Sequence, residues 1–114
     1  MKKSNHQDNY LLKTPAKHPI IKWNSDENGI VTLEIENKGV FNLLAQKLFK
    51  KPKISYVHLD KFGSFVWSVT DGIRNISQIG ESVKKQFGSE AEPLYERLAK
   101  YYQILYSYHF IEWK

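Results

Sequence analysis

The chain contains 114 residues, carries a formal net charge of +5 and has no cysteine. Its length and its 41% content of hydrophobic residues support one globular domain rather than two. The lack of cysteine excludes disulfides and thiolate metal sites and agrees with a reducing cytosol. The sequence has no apolar run long enough for a membrane span or a signal peptide, so we expect a soluble cytoplasmic protein.

The N-terminal residues are mostly polar, which predicts a flexible segment over residues 1–19. Ile20, Ile21 and Trp23 supply apolar surface for a core, so the domain is expected to span residues 20–114. After the turn-rich sequence NSDENG, the alternating sequence IVTLEIE predicts a strand. An antiparallel hairpin is the simplest arrangement for this part of the chain.

A short amphipathic helix is predicted in the sequence NKGVFNLLAQKLFKKP. Phe41, Leu44 and Leu48 repeat there at helical spacing, and Pro52 ends the run. Four lysines lie close together at and just after the end of this sequence. A run of positive charge is usually a solvated face, although it could meet an acidic partner. The lysines of the run are Lys47, Lys50, Lys51 and Lys53.

The next sequence, ISYVHLD, is rich in β-forming residues and predicts a third strand over residues 54–59. Because side chains alternate along a strand, Val57 and Leu59 should share one face. Tyr56 and His58 should share the other. Burial in the core is the simplest expectation for the first pair.

Two short helices are predicted to follow, each with its own start and stop signals. Asp60 is a good N-cap for the first helix, which Gly72 stops. Asn75 and Gln78 have the spacing of a capping box for the second helix, which Gly88 ends. The expected apolar stripes are Phe62, Phe65, Val66 and Val69 in the first helix and Ile76, Ile79, Val83 and Phe87 in the second.

A third helix is expected to begin with a second capping box, formed by Ser89 and Glu92, and to continue to about Tyr108. Strands followed by helices predict an α+β domain with a small antiparallel three-stranded sheet and then three helices. Two apolar stripes run along the third helix. The expected core stripe is Leu94, Leu98, Tyr101, Leu105 and Tyr108, and the second stripe is Tyr95, Tyr102 and Tyr106.

The tyrosines of the second stripe have two possible roles. They could pack against the sheet, or against the short amphipathic helix predicted before the third strand, with their hydroxyls in water. Alternatively, they could line a groove for a ligand, because tyrosine offers a large contact area with little loss of entropy. The sequence does not decide which flank of the third helix would face such a groove.

The stretch LDKFGSFVWSVTDGIRNISQI, with VKKQFG and a last helix followed by FI, resembles the PqqD family of RiPP recognition elements. The resemblance covers residues 54–111 and implies a winged-helix-like domain with a three-helix bundle. It implies a non-catalytic peptide chaperone that binds the leader of a ribosomally made precursor. A modifying enzyme, often a radical SAM protein, then receives the peptide, and no cofactor is expected on this chain.

In this family the leader adds a strand beside the third strand and packs side chains between that strand and the third helix. The peptide-binding residues implied for this chain are Ser55, Tyr56, Val57, His58, Tyr95, Leu98 and Tyr102. Two features depart from the family pattern. His109 stands where a glycine is common before the last apolar pair, and residues 40–53 look like an insertion.

The alternative to a peptide binder is a winged-helix nucleic-acid-binding regulator. The last helix suits it poorly, because residues 90–108 contain three acidic residues against two basic ones. We therefore expect no nucleic-acid partner and no membrane partner. An enzyme is less expected still, since the four histidines are scattered and no metal-ligand spacing or nucleophile motif is present.

Overall fold

The computed structural model of the protein describes residues 9–36 and 54–114. The helix predicted within residues 40–53 and the lysine run lie outside the described residues. The described strands are β1 (Pro15–Lys17), β2 (Lys22–Ser25), β3 (Val31–Glu36), β4 (Ile54–His58) and β5 (Ile111–Trp113). The described helices are α1 (Lys61–Ser68), α2 (Ile76–Phe87), a 3₁₀ turn (Gly88–Ala91) and α3 (Leu94–Ser107).

The antiparallel three-stranded sheet predicted from the sequence is confirmed, with the order β2-β3-β4. The turn between β2 and β3 forms because the Asp26 carboxylate accepts hydrogen bonds from the backbone N–H groups of Asn28 and Ile30, at 2.8 and 3.0 Å. Gly29 follows with φ of 81°, a conformation that glycine adopts without steric cost. The local sequence therefore sets this hairpin.

A second sheet was not expected. β1 pairs antiparallel with β5, and Ala16 in β1 is buried. Residues 15–17 belong to the segment that the sequence predicts to be flexible, so the described part of that segment contributes a strand. Strands of three residues are too short to show a period in the sequence, which explains why neither was predicted.

The first two helices begin at the predicted caps. The Asp60 carboxylate accepts from the Gly63 N–H at 2.7 Å. Asn75 and Gln78 form both hydrogen bonds of the predicted capping box, and Gly88 ends α2 with φ of 60°. α1 itself ends at Ser68, before the predicted stop.

The predicted start of the third helix was wrong. α3 begins at Leu94, and no side-chain hydrogen bond caps it. Glu92 is extended, with ψ of 144°, because a residue that precedes proline is disfavoured in the helical region. Pro93 therefore ends the 3₁₀ turn at Ala91 and separates it from α3, although Ser89 and Glu92 have capping-box spacing.

The hydrophobic core lies where β3, the three helices and β5 meet. Its largest fully buried side chain is Trp67 in α1. The other core residues are Val31, Leu33, Val66, Ile76, Ile79, Val83, Ala91, Leu94, Leu98, Tyr102, Leu105 and Ile111. The arrangement is α+β with antiparallel sheets, as predicted, while the winged-helix and three-helix-bundle details stay predictions. Among the described helices, none has the length and apolar character needed to span a bilayer.

Candidate functional site

An open apolar groove of about 420 Å³ lies between β4 and α3. One wall comes from the strand, the other from one flank of the helix, and the chain reversal after α3 closes one end. The residues that line the groove are Val57, Leu59, Tyr101, Ile104, Leu105, Tyr108 and Phe110. The described lining therefore contains only aliphatic and tyrosine or phenylalanine side chains.

β4 forms the strand wall of the groove and pairs with β3 along one side. The Leu59 N–H donates to the Val31 carbonyl at 2.9 Å, which places these two residues at a hydrogen-bonding position of the ladder, and the Val31 N–H donates to the Ser64 hydroxyl at 2.8 Å. Hydrogen-bonding positions alternate along an antiparallel ladder, which means that Ser55 and Val57 also face β3. The backbone groups of Tyr56 and His58 consequently point away from β3, toward the outer edge of β4. Within residues 9–36 and 54–114, no strand pairs with this edge.

The helix wall is the flank of α3 that carries Tyr101, Ile104 and Tyr108. The Tyr101 hydroxyl donates to the Gly63 carbonyl of α1 at 2.7 Å, which fixes this ring at the base of the groove. Burial raises the pKa of the Tyr101 phenol well above its usual value, so the hydroxyl stays protonated and able to donate. Ile104 and Tyr108, one helical turn apart, remain 49% and 63% exposed, so this flank of α3 presents apolar surface to solvent.

The end of the groove is shaped by the reversal of the chain after α3. His109 has φ of 65°, in the left-handed region. Its N–H donates to the Tyr106 carbonyl at 3.0 Å and the Phe110 N–H donates to the Leu105 carbonyl at 2.9 Å, the two bonds of a Schellman motif. The rings of Tyr108 and Phe110 then stack with centroids 5.5 Å apart. The reversal therefore places an aromatic pair at the groove end.

A family model described as coenzyme PQQ synthesis protein D (PqqD) matches residues 29–111. The chain belongs to the PqqD family. The match spans β3, β4 and all three described helices, and it ends at the first residue of β5. No curated protein and no solved structure matches the chain. Membership supports an accessory role in the biosynthesis of PQQ or of another ribosomally made peptide product.

The four PqqD site residues that the resemblance implies on the strand lie in β4, but they differ in orientation. Val57 lines the groove. Tyr56 and His58 are exposed, and their backbone groups point toward the outer edge of β4. Ser55 faces β3 instead, so its backbone groups belong to the existing ladder.

Two of the three predicted helix residues lie in the core rather than in the groove wall. Leu98 and Tyr102 are both 0% exposed. The Tyr102 hydroxyl lies 2.7 Å from the Thr70 hydroxyl, which itself donates to the Val66 carbonyl. This partner, in the turn after α1, lets a tyrosine occupy a fully buried position, and burial raises the pKa of its phenol.

Tyr95, the third predicted helix residue, lies between α2 and α3, away from the groove. Its ring covers Gly80 so closely that a Cβ there would have no room. The hydroxyl donates to Glu81 at 3.3 Å, and the Lys84 ammonium lies 5.5 Å from the ring centroid. Gly80 is therefore the position that admits this ring, and Tyr95 joins two helices.

Besides the buried Leu105, the groove residues that sequence reasoning missed on α3 and its cap are Tyr101, Ile104 and Tyr108. They occur at i, i+3 and i+7, which is a helical stripe in its own right. Residue spacing alone centres the buried face of the helix near Tyr101 and Tyr108, which is why both belong to the expected core stripe. In the structure the buried face of α3 contains Leu98 and Tyr102 instead. Which face is buried depends on where β4 runs beside the helix.

Proposed function

We propose that this PqqD-family protein binds the leader segment of a ribosomally synthesised precursor peptide and presents it to a modifying enzyme such as a radical SAM protein. The leader adds a strand to the outer edge of β4. Its side chains enter the groove between β4 and α3. The protein itself takes no part in the chemistry and carries no cofactor.

The observation that carries this proposal is the position of the outer edge of β4 directly beside an apolar groove. An added strand satisfies the outward backbone groups of Tyr56 and His58 with hydrogen bonds that do not depend on sequence. Side chains of a strand alternate, so every second side chain of the peptide faces the groove. The backbone hydrogen bonds between β4 and the peptide thus provide affinity, and the groove determines which peptide side chains are accepted.

The lining of the groove defines the side chains that it accepts. No charged residue is among the described residues that line it. Burying an unpaired charge or polar group there would be costly, so aliphatic or aromatic leader residues are favoured. The exposed rings and methyl groups of Ile104 and Tyr108 are the surface that such residues would cover.

One of the two basic side chains of α3 is held by contacts within the protein, which counts against nucleic acid, the alternative partner. A reading helix needs cations that are free to contact phosphate. The Arg97 guanidinium lies 3.9 Å from the centroid of the Phe62 ring and donates to the Glu90 carbonyl. This basic side chain of α3 is therefore engaged within the protein, which favours the peptide.

Calorimetry with a matched pair of tyrosine variants tests the proposal. The ligands are synthetic peptides that cover the leader regions of short reading frames next to the gene. Tyr108→Ala should weaken binding by at least about fivefold, because a groove residue in contact with the peptide acts as an anchor. Tyr106→Ala should leave affinity within about twofold, since this side chain lies outside the groove lining.

The two variants are closely matched. Both residues are in the last turn of α3 or its cap, and they are 63% and 49% exposed. Each loses one aromatic contact, Tyr108 with Phe110 and Tyr106 with Trp113, both with centroids 5.5 Å apart. Equal losses of affinity for both variants would contradict the groove as the binding site. Sequence-specific binding of duplex DNA, with no peptide bound, would favour the alternative.

A further inference from the structure

The N-terminal segment, defined as residues 13–18, holds the chain reversal that ends the groove. The His18 N–H donates to the Phe110 carbonyl at 3.0 Å. Next to this bond, β1 pairs with β5, so that Lys17 lies opposite Ile111 and Pro15 lies opposite Trp113. The reversal is therefore fixed on one side by α3 and on the other by the N-terminal segment.

The same segment is also bonded to the turn between α1 and α2. The Pro15 carbonyl accepts from the Gly72 N–H at 3.0 Å, and the Lys17 ammonium donates to the Thr70 carbonyl at 2.7 Å. The ammonium also lies 5.2 Å from the centroid of the Trp23 ring and 5.8 Å from that of Trp67. The segment is thus anchored to the body of the protein and can hold the reversal against it.

The reversal needs such support because its central residue is not a glycine. His109 occupies the left-handed region, which is sterically unfavourable for a residue with a Cβ. Such a conformation persists only where surrounding bonds enforce it. The Schellman bonds act from α3, and the His18 bond to Phe110 acts on the following residue.

We propose that residues 13–18 are a positioning element of the peptide site, with His18 acting through Phe110 on the stacked pair at the groove end. This segment lies outside the region that matches the family, residues 29–111. The groove of this chain thus depends on a part of the sequence that the family pattern does not include. The consequence for affinity rests on the proposed peptide-binding function.

The test compares His18→Pro with His18→Ala in the full chain. Both variants lose the imidazole, which accepts from the Ile20 N–H, but only proline removes the N–H that reaches Phe110. The primary measurement is the NMR shift of the Tyr108 and Phe110 ring protons without peptide. We expect these signals to move in His18→Pro and to stay near their wild-type positions in His18→Ala.

A core variant separates positioning from general loss of stability. Ile79→Val removes one methyl group from a fully buried residue of α2 and should lower the melting temperature without moving the groove rings. Leader affinity should fall at least about threefold in His18→Pro and less than about twofold in Ile79→Val, consistent with loss of one hydrogen bond.

One result would overturn the positioning role, and another would overturn only the proposed function. If the ring signals of His18→Pro match those of His18→Ala, the segment does not position the groove end and the proposal is overturned. If the ring signals move as expected while the wild-type protein binds none of the leader peptides, positioning stands and the proposed function fails. The peptide-free measurement keeps these outcomes separate.

Discussion

At the scale of single residues, His109 shows that a residue with a Cβ can occupy the left-handed position of a helix C-cap. The resemblance to PqqD-like sequences favours a glycine at this position, which would take the left-handed conformation at little steric cost. The structure shows both Schellman hydrogen bonds with His109 at φ of 65°. The bonds around the reversal outweigh the steric cost of the Cβ.

His109→Gly should therefore stabilise the protein. Removing the Cβ relieves about 1–2 kcal/mol of left-handed strain, and the greater freedom of glycine in the unfolded chain offsets part of it. We expect the free energy of unfolding to rise by roughly 0.5–1 kcal/mol, seen as a melting temperature several degrees higher. His109→Ala, which keeps the Cβ, is the control. An equal change in both variants would show that the conformation carries no strain.

The neighbouring residues Tyr101 and Tyr102 make the stability sensitive to alkaline pH. Burial raises the pKa of both phenols above their usual value of 10.0. Above pH 10 the unfolded chain loses these protons before the folded one does, so stability present below pH 10 is lost as pH rises. The slope is up to about 1.4 kcal/mol per pH unit for each tyrosine.

Tyr102→Phe provides the measurement, through urea unfolding at neutral pH and at several values from about pH 9 to 11. At neutral pH it should cost about 1 kcal/mol, because the Thr70 hydroxyl loses a partner at 2.7 Å. Above pH 10 the free energy of unfolding of the variant should decline less steeply than that of the wild type. The two slopes should differ by up to about 1.4 kcal/mol per pH unit, the contribution of one tyrosine. The lowered pKa of Lys17, caused mainly by burial, acts in the opposite direction in both proteins and cancels. Identical slopes would contradict a buried, protonated Tyr102.

At the scale of elements, β4 and α3 differ in how far the sequence predicts them. Alternation in ISYVHLD predicts the strand and assigns Val57 and Tyr56 to opposite faces, as the structure confirms. It does not predict which backbone groups point toward the outer edge of β4, because that depends on the register with β3. For α3, spacing predicts a broad apolar arc, but only the path of β4 decides that Ile104, and not Tyr102, faces the groove.

Substitutions at Tyr56 test the edge of the strand itself. Tyr56→Pro removes an N–H that points away from β3, so the ladder between β3 and β4 keeps its hydrogen bonds. Leader affinity should fall by about tenfold, since one peptide hydrogen bond is lost and the ring obstructs the added strand. Tyr56→Ala keeps the N–H and should bind within about threefold of the wild type, because the backbone makes the contact. Circular dichroism verifies that both variants fold. Equal affinities would rule out pairing at this edge.

At the scale of the whole molecule, long-range pairs account for most of what the sequence did not predict. Local signals at Asp60, Asn75 and Gly88 predict the first two helices, since each signal acts within a few residues. The pairing of β1 with β5 joins residues 15–17 to 111–113, and no local pattern marks either strand. Because of it, the N-terminal segment packs against the end of the groove. The division into residues 1–19 and 20–114 stays a prediction, although a strand begins before it.

Amide hydrogen exchange along β4, measured by NMR with and without a leader peptide, tests the central claim most directly. In the free protein the Val57 amide, which faces β3, should be protected, whereas the Tyr56 and His58 amides should exchange quickly. Addition of the leader should protect Tyr56 and His58 and shift the signals of Ile104 and Tyr108. A bound leader that leaves the Tyr56 and His58 amides in fast exchange would contradict strand addition at the outer edge of β4.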